Sequence, residues 1–225
     1  MTCTKESFLR DVADHVVEVI RNEGVNRHIR FRKPGTMCFH FDLITWPGYL
    51  CYTGDMGTYV FRRLEDMFQF FRTKPYANRD PLDQIDRRYW AEKLEATNKH
   101  GGHLEFDKDT FQREITEQRR KLFVEHGKDM APVDRQEFWS SLEDVKHAAD
   151  EGEHRTFSEV QDWSFTYYKP RLHTTSKEPV RVYLSTDEFP SCKTYTYYFL
   201  WCCYALAWGI QQFDALTTPE PALAA

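Results

Sequence analysis

The chain has no Cys-x-x-Cys pair, no His-Glu-x-x-His run, no Gly-x-Ser-x-Gly elbow and no glycine loop ending in Gly-Lys-Ser/Thr. Each absence removes a class: zinc ribbon or dithiol redox protein, zincin, serine hydrolase of the elbow type, and P-loop nucleotide hydrolase. The six cysteines, Cys3, Cys38, Cys51, Cys192, Cys202 and Cys203, are spaced for neither a disulfide framework nor a zinc site. The densest histidine group, His100 and His103 around Gly101-Gly102, lacks two further ligands nearby and reads as a helix end. A basic excess is missing too. Thirty Lys and Arg against 35 Asp and Glu leave a net charge of −5, which argues against a dedicated nucleic-acid binder and leaves room only for a local basic patch. No catalytic residue, cofactor or metal is expected.

Long uncharged runs are also absent, with one exception. Residues 194–213, TYTYYFLWCCYALAWGIQQF, carry no charge over the length of a membrane span. Tyr195, Tyr197, Tyr198, Tyr204, Gln211 and Gln212 put polar tips inside it. A buried central helix, or one shared at a homodimer interface, is therefore expected, and no membrane association. The opening MTCTKESFLRDV is charged where a secretory signal needs an apolar segment, so reduced thiols in a cytoplasm are expected.

Aromatic residues are what the chain has in quantity, at 16 %. They supply a packed core, and the chain is read as an α+β protein. Phe8, Val12, Val16, Val19 and Ile20 recur at helical spacing, so a helix is expected over residues 7–22, capped by Ser7 and stopped at Gly24. Period-two alternation then predicts an antiparallel meander of about four strands. Met37, Phe39, Phe41 and Leu43 share one face, with Cys38, His40 and Asp42 on the other. A short helix carrying Leu64, Met67, Phe68 and Phe71 follows. Residues 1–74 make a helix–meander–helix unit, with the sheet's apolar side covered by its flanking helices.

Residues 75–162 read as helical: a helix from Asp80-Pro81 to about Leu94, a second capped by Asp107 and stopped at Gly127, a third opening on Asp134 and Glu137, and a short one near 155–162. Residues 163–216 read as irregular chain, an edge strand at VRVYL and the apolar last helix, packing back on the core as one domain. Residues 217–225 are a tail.

The binding candidates are charged. Arg27, His28, Arg30, Arg32 and Lys33 lie on one strand, and alternation puts Arg30 and Arg32 on one face roughly 7 Å apart, near a phosphate spacing. Arg62 and Arg63 could join them. A solvated edge guarded by basic residues is the competing reading. Asp55, between Gly54 and Gly57, suits a tight turn, with ligand binding at the tip as the alternative. Asp144, Asp150, Glu151, Glu153, Glu159 and Asp162 form an acidic segment, either a solvated face or a phosphate mimic for a basic partner. His40, Asp42 and Asp55 could cluster on the sheet as the acid–base set of a small hydrolase.

Two stretches, FDLITWPGYLCYTGDMGTYVFRRLEDMFQFFR at 41–72 and YFLWCCYALAWGIQQFD at 198–214, resemble a family of accessory proteins carried by tailed bacteriophages and prophages. The family transfers no catalytic or binding residue. The resemblance implies expression in a host bacterial cytoplasm and action on a bacterial host protein or complex, such as inhibition of a defence system. A nucleic-acid- or nucleotide-binding module using residues 27–33 is the second expectation, and a small hydrolase the third.

Overall fold

A strand that alternates apolar and polar residues buries only one of its faces, and the first third of this chain is built on that rule. The computed structural model describes residues 2–73, 80–98, 101–170, 175–185 and 189–217. It divides into two units: residues 1–105 with 195–225, and residues 106–194. The expected segment ends at 74 and 162 fall inside these units, not at their limits.

The first unit opens with helix α1 (Lys5–Asp11), where Thr4 and Ser7 cap each other's backbone. Six antiparallel strands follow in sequence order: β1 (Val16–Glu23), β2 (Asn26–Arg32), β3 (Phe41–Trp46), β4 (Tyr49–Gly54), β5 (Gly57–Arg62) and β6 (Leu94–Ala96). Between β5 and β6 lie α2 (Met67–Phe71), a 3₁₀ turn (Pro81–Gln84) and α3 (Arg87–Ala91). The unit closes with α7 (Tyr197–Thr217).

Cross-strand register sets the buried face. Ile29, Leu43, Tyr52 and Tyr59 stand opposite one another across four strands, and all are fully buried. Helix α7 covers them. Its ring contacts run from Tyr59 at Phe199, through Tyr52 and Phe41 at Trp201, to Phe31 at Trp208, so the helix crosses the strands from β5 to β2. Trp201 also meets Phe8 edge-on at 5.0 Å, and its indole N–H donates to Asp11 at 3.1 Å, which pins α1 to α7. The expected cover by flanking helices is thus partial: α1 and α2 contribute, and the last helix supplies the roof. That helix packs inside its own unit, with twelve buried residues, as the first of its two expected settings has it.

Several expected elements differ. Residues 7–22 are not one helix: α1 ends at Asp11 and residues 16–23 form β1. Val16, Val17, Val19 and Ile20 are β-branched, a composition that favours a pleated strand. Gly24 closes the β1–β2 hairpin instead of a helix. Residues 37–40 are a turn, with Met37 exposed and Phe39 at φ 56°. Residues 82–94 break at Ile85 because Asp86 caps α3 by accepting from the Tyr89 N–H. Leu94 then enters the sheet, so Gly101-Gly102 follow a strand and not a helix.

The chain crosses to the second unit along β7 (Leu104–Phe106) and returns along β10 (Lys193–Tyr195). The second unit holds α4 (Lys108–His126), α5 (Pro132–His147), a 3₁₀ turn (Ala148–Glu151), α6 (Glu153–Asp162) and a hairpin of β8 (Ser164–Pro170) and β9 (Lys177–Tyr183). The strand expected at VRVYL therefore pairs with β8 and not with the main sheet. Asp107 caps α4 as expected. Helix α5 starts earlier, at Pro132, whose ring presets the first turn, so Asp134 sits one turn in and accepts from the Ala131 N–H. Phe111, Ile115, Phe138, Leu142, Val160 and Tyr167 centre its own core.

No helix among the described residues is long and apolar enough to cross a membrane. The expected tail from 218 onward, and His100, lie outside the described residues.

Replacing Trp201 with Ala removes the ring that joins α1, β3 and β4, and should lower the chain's unfolding free energy by about 3–5 kcal/mol in urea titration. Loss under about 1 kcal/mol would contradict the central place of α7.

Candidate functional site

The strand β2 carries the basic candidates, and the sheet sorts them onto two faces. Arg27 shares the inner parity of Ile29 and Phe31. Its guanidinium is bidentate to Asp66, at 2.7 and 3.1 Å, and lies 4.8 Å from the Phe68 ring centre. Burial alone would raise the Asp66 carboxyl, but Arg27 outweighs it and holds the group below the ordinary value. Arg27 is therefore a pin between the sheet and α2, not a member of a surface patch.

Arg30 and Arg32 do share the outer face, with His28, but carboxylates hold them. Arg30 donates through Nε and Nη2 to Asp42, both at 2.9 Å, and His28 Nε2 lies 2.7 Å from the same carboxylate. Facing an acceptor-only group, that ring nitrogen carries the proton. Asp42 is 7 % exposed. Desolvation pushes its pKa up, and Arg30 and His28 more than reverse this, so it stays ionised below the usual range. Arg32 reaches Glu18 at 3.3 Å, and Lys33 reaches Asp14 at 2.7 Å. The expected cationic strip is thus neutralised within the unit.

The other end of the outer face is aromatic and apolar. Trp46 and Tyr49 close the two-residue Pro47-Gly48 turn, stand opposite each other and stack with centroids 5.2 Å apart. Arg62 is opposite Tyr49 in the next strand, with its guanidinium 5.2 Å from that ring. One row inward, Ile44, Cys51 and Val60 stand side by side. They are outside the buried cluster under α7 and are themselves half-buried. Trp46 is 39 % exposed. Arg62 forms no ion pair among the described residues, and Arg63, also exposed, follows it beyond the strand end. The sequence signal for this row was the hairpin WPGY, whose flanking aromatics must face the same way.

Asp55 has a structural task. Its carboxylate accepts the Phe39 N–H at 2.9 Å, and its own N–H donates to the His40 carbonyl at 3.0 Å, so the β4–β5 tip clips the 37–40 turn. Gly57 sits at φ 99°, and a Cβ there would meet the Asn98 side chain at 2.4 Å. A hollow of about 490 Å³ adjoins the tip, with Asp55, Thr58, Thr97, Asn98 and Tyr198 in its wall. Each side chain of the expected hydrolase set has another partner: His40 Nδ1 bonds the Met37 carbonyl at 2.6 Å, Asp55 serves Phe39, and Asp42 serves Arg30 and His28. Among the described residues no three His, Cys, Asp or Glu side chains gather as a metal site.

In the second unit four of the six acidic residues are paired. Asp150 meets Lys108, Glu153 meets Lys193 at 2.5 Å, and Arg155 lies between Glu151 at 3.7 Å and Glu159. Helical i,i+4 pairing places both Arg155 contacts. A free acidic array for a basic partner is not formed by Asp150, Glu151 and Glu153.

Because the folded Asp42 pKa is depressed, its stabilising effect is complete above the unfolded carboxyl range and is lost as pH falls through the folded value. Urea denaturation at pH 7 and at about pH 3 should show a stability gap that narrows in Asp42→Asn, because that contribution no longer titrates. An equal gap in both proteins would remove Asp42 from this role. No family model, curated protein or solved structure matches the chain.

Proposed function

We propose that the chain is a non-enzymatic binding protein, carried by a tailed phage or prophage, that holds a bacterial host protein against the outer face of its first sheet. One observation carries the binding part: a Trp46–Tyr49–Arg62 row beside a half-buried Ile44–Cys51–Val60 row on the sheet face opposite α7, with Trp46 and Arg62 exposed. Trp, Tyr and Arg dominate the energy of protein interfaces, because each combines a large contact area with a polar handle. Arg62 without a carboxylate partner among the described residues fits an apolar target patch flanked by acidic groups. The phage context rests on the resemblance of residues 41–72 and 198–214 alone, and inhibition of a host defence system is its natural extension.

A nucleic-acid reading has one observation in its favour, since stacked aromatics beside an arginine also make a platform for single-stranded bases. Against it, Arg30, Arg32 and Lys33 are committed to carboxylates and the net charge is −5.

Capture from phage-carrying bacterial cells, read by mass spectrometry, tests the proposal with wild type beside Trp46→Ala/Arg62→Glu. A host protein retained by wild type should bind the variant at least about 30-fold more weakly, the loss expected of an interface hot spot. Equal binding by a variant that melts as wild type does refutes the face. Capture of nucleic acid that weakens steeply with salt would favour the second reading.

A further inference from the structure

The two edges of the first sheet are unlike. Strand β6 is three residues long, and a short edge gives another chain little to pair with. Strand β1 is eight residues long and, among the described residues, has β2 as its neighbour on one side alone. It carries no Lys and no Pro; its charges are Glu18, Arg21 and Glu23 and it bears one bulge, while Val16, Val19 and Ile20 are 49, 44 and 45 % exposed. We propose that β1 pairs edge to edge, antiparallel, with β1 of a second copy of this chain, joining two six-stranded sheets into one. This goes beyond the partner-binding reading and uses a different part of the unit.

The register follows from charge and face together. Pairing all eight residues sets Val16 opposite Glu23 of the copy, Val17 opposite Asn22, Glu18 opposite Arg21, and Val19 opposite Ile20. Each Glu18 then meets an Arg21, twice over by symmetry, in exchange for the exposed pairs Glu18–Arg32 and Arg21–Glu23 of the single chain, and the centre is aliphatic. In a regular strand this register would match outer residues with inner ones, since odd and even positions lie on opposite faces. The bulge between Val19 and Arg21 changes that. Glu18 opposes Arg30 and Arg21 opposes His28, so both are on the outer face, while Val17 and Asn22, opposite Phe31 and Arg27, are both on the inner face. A two-fold axis normal to the sheet preserves faces, and the bulge therefore brings complementary residues to the same side. Registers centred on Glu18 or on Arg21 oppose like charges, as does one that pairs Glu18 with Glu23. In the joined sheet both outer faces look the same way, which gives a two-site surface for a repeated or symmetric partner.

Sedimentation velocity of the full chain from about 1 to about 100 µM should show a monomer–dimer equilibrium. Glu18→Arg alone and Arg21→Glu alone should each weaken the dimer at least about tenfold, because two attractive pairs become repulsive, and the combined exchange should restore it. Hydrogen exchange of the β1 amides in wild type should slow as concentration rises, a readout that needs no variant. A monomer throughout, a dimer indifferent to the single exchanges, failure of the double exchange to restore it, or β1 exchange independent of concentration would each overturn the proposal. Capture of a host protein by a monomeric Glu18→Arg variant leaves the partner-binding reading standing, so the two can fail separately.

Discussion

The first unit depends on a single burial event: a helix with one charged residue, Asp214, laid across the apolar face of a meander from early in the chain. The row of Ile29, Leu43, Tyr52 and Tyr59 is covered by α7, which buries twelve of its own residues there. The contact is mainly aromatic and edge-on, an arrangement in which ring edges meet ring faces and each pair adds to plain area burial. Residues 106–194 are consequently an insertion with their own core. The arginines at the rim secure the roof: Arg27 to Asp66 beneath Phe68 and Phe213, and Arg72 to Asp214 on α7 itself.

A sheet roofed on one side has a second face, and its chemistry is decided by what the charges do there. Arg30, Arg32 and His28 look like a basic strip when β2 is read alone. Once β1 and β3 flank that strand, Glu18 and Asp42 stand directly opposite Arg30, and ion pairs replace free charge. At the other end of the same face Trp46 and Arg62 keep their exposure, with Tyr49 half-buried between them. This contrast within one face makes the aromatic end the better place for a partner.

Some of this was legible in the sequence. Alternation from Phe41 to Arg62 showed strands and their buried side, and Asp107 announced α4, because both signals are local. The β1 segment was not legible in this way. Phe8, Val12, Val16 and Val19 fit a helical stripe, and only pairing with β2 distinguishes the strand that Val16 and Ile20 prefer. The position of β6 was hidden too, since Leu94 and Ala96 enter the sheet after an excursion of some thirty residues that no local pattern records.

Composition and periodicity by themselves determined an α+β chain, one apolar sheet face, a buried terminal helix and the lack of any motif for metal or nucleophile chemistry. Tertiary structure alone decided which helix covers the sheet, that Arg27 faces inward while Arg30 faces out, and that Asp55 clips a neighbouring turn. The physical reason is the range of the forces involved. Side-chain direction and capping act over a few residues, whereas charge pairing and burial depend on strands brought side by side from distant parts of the chain.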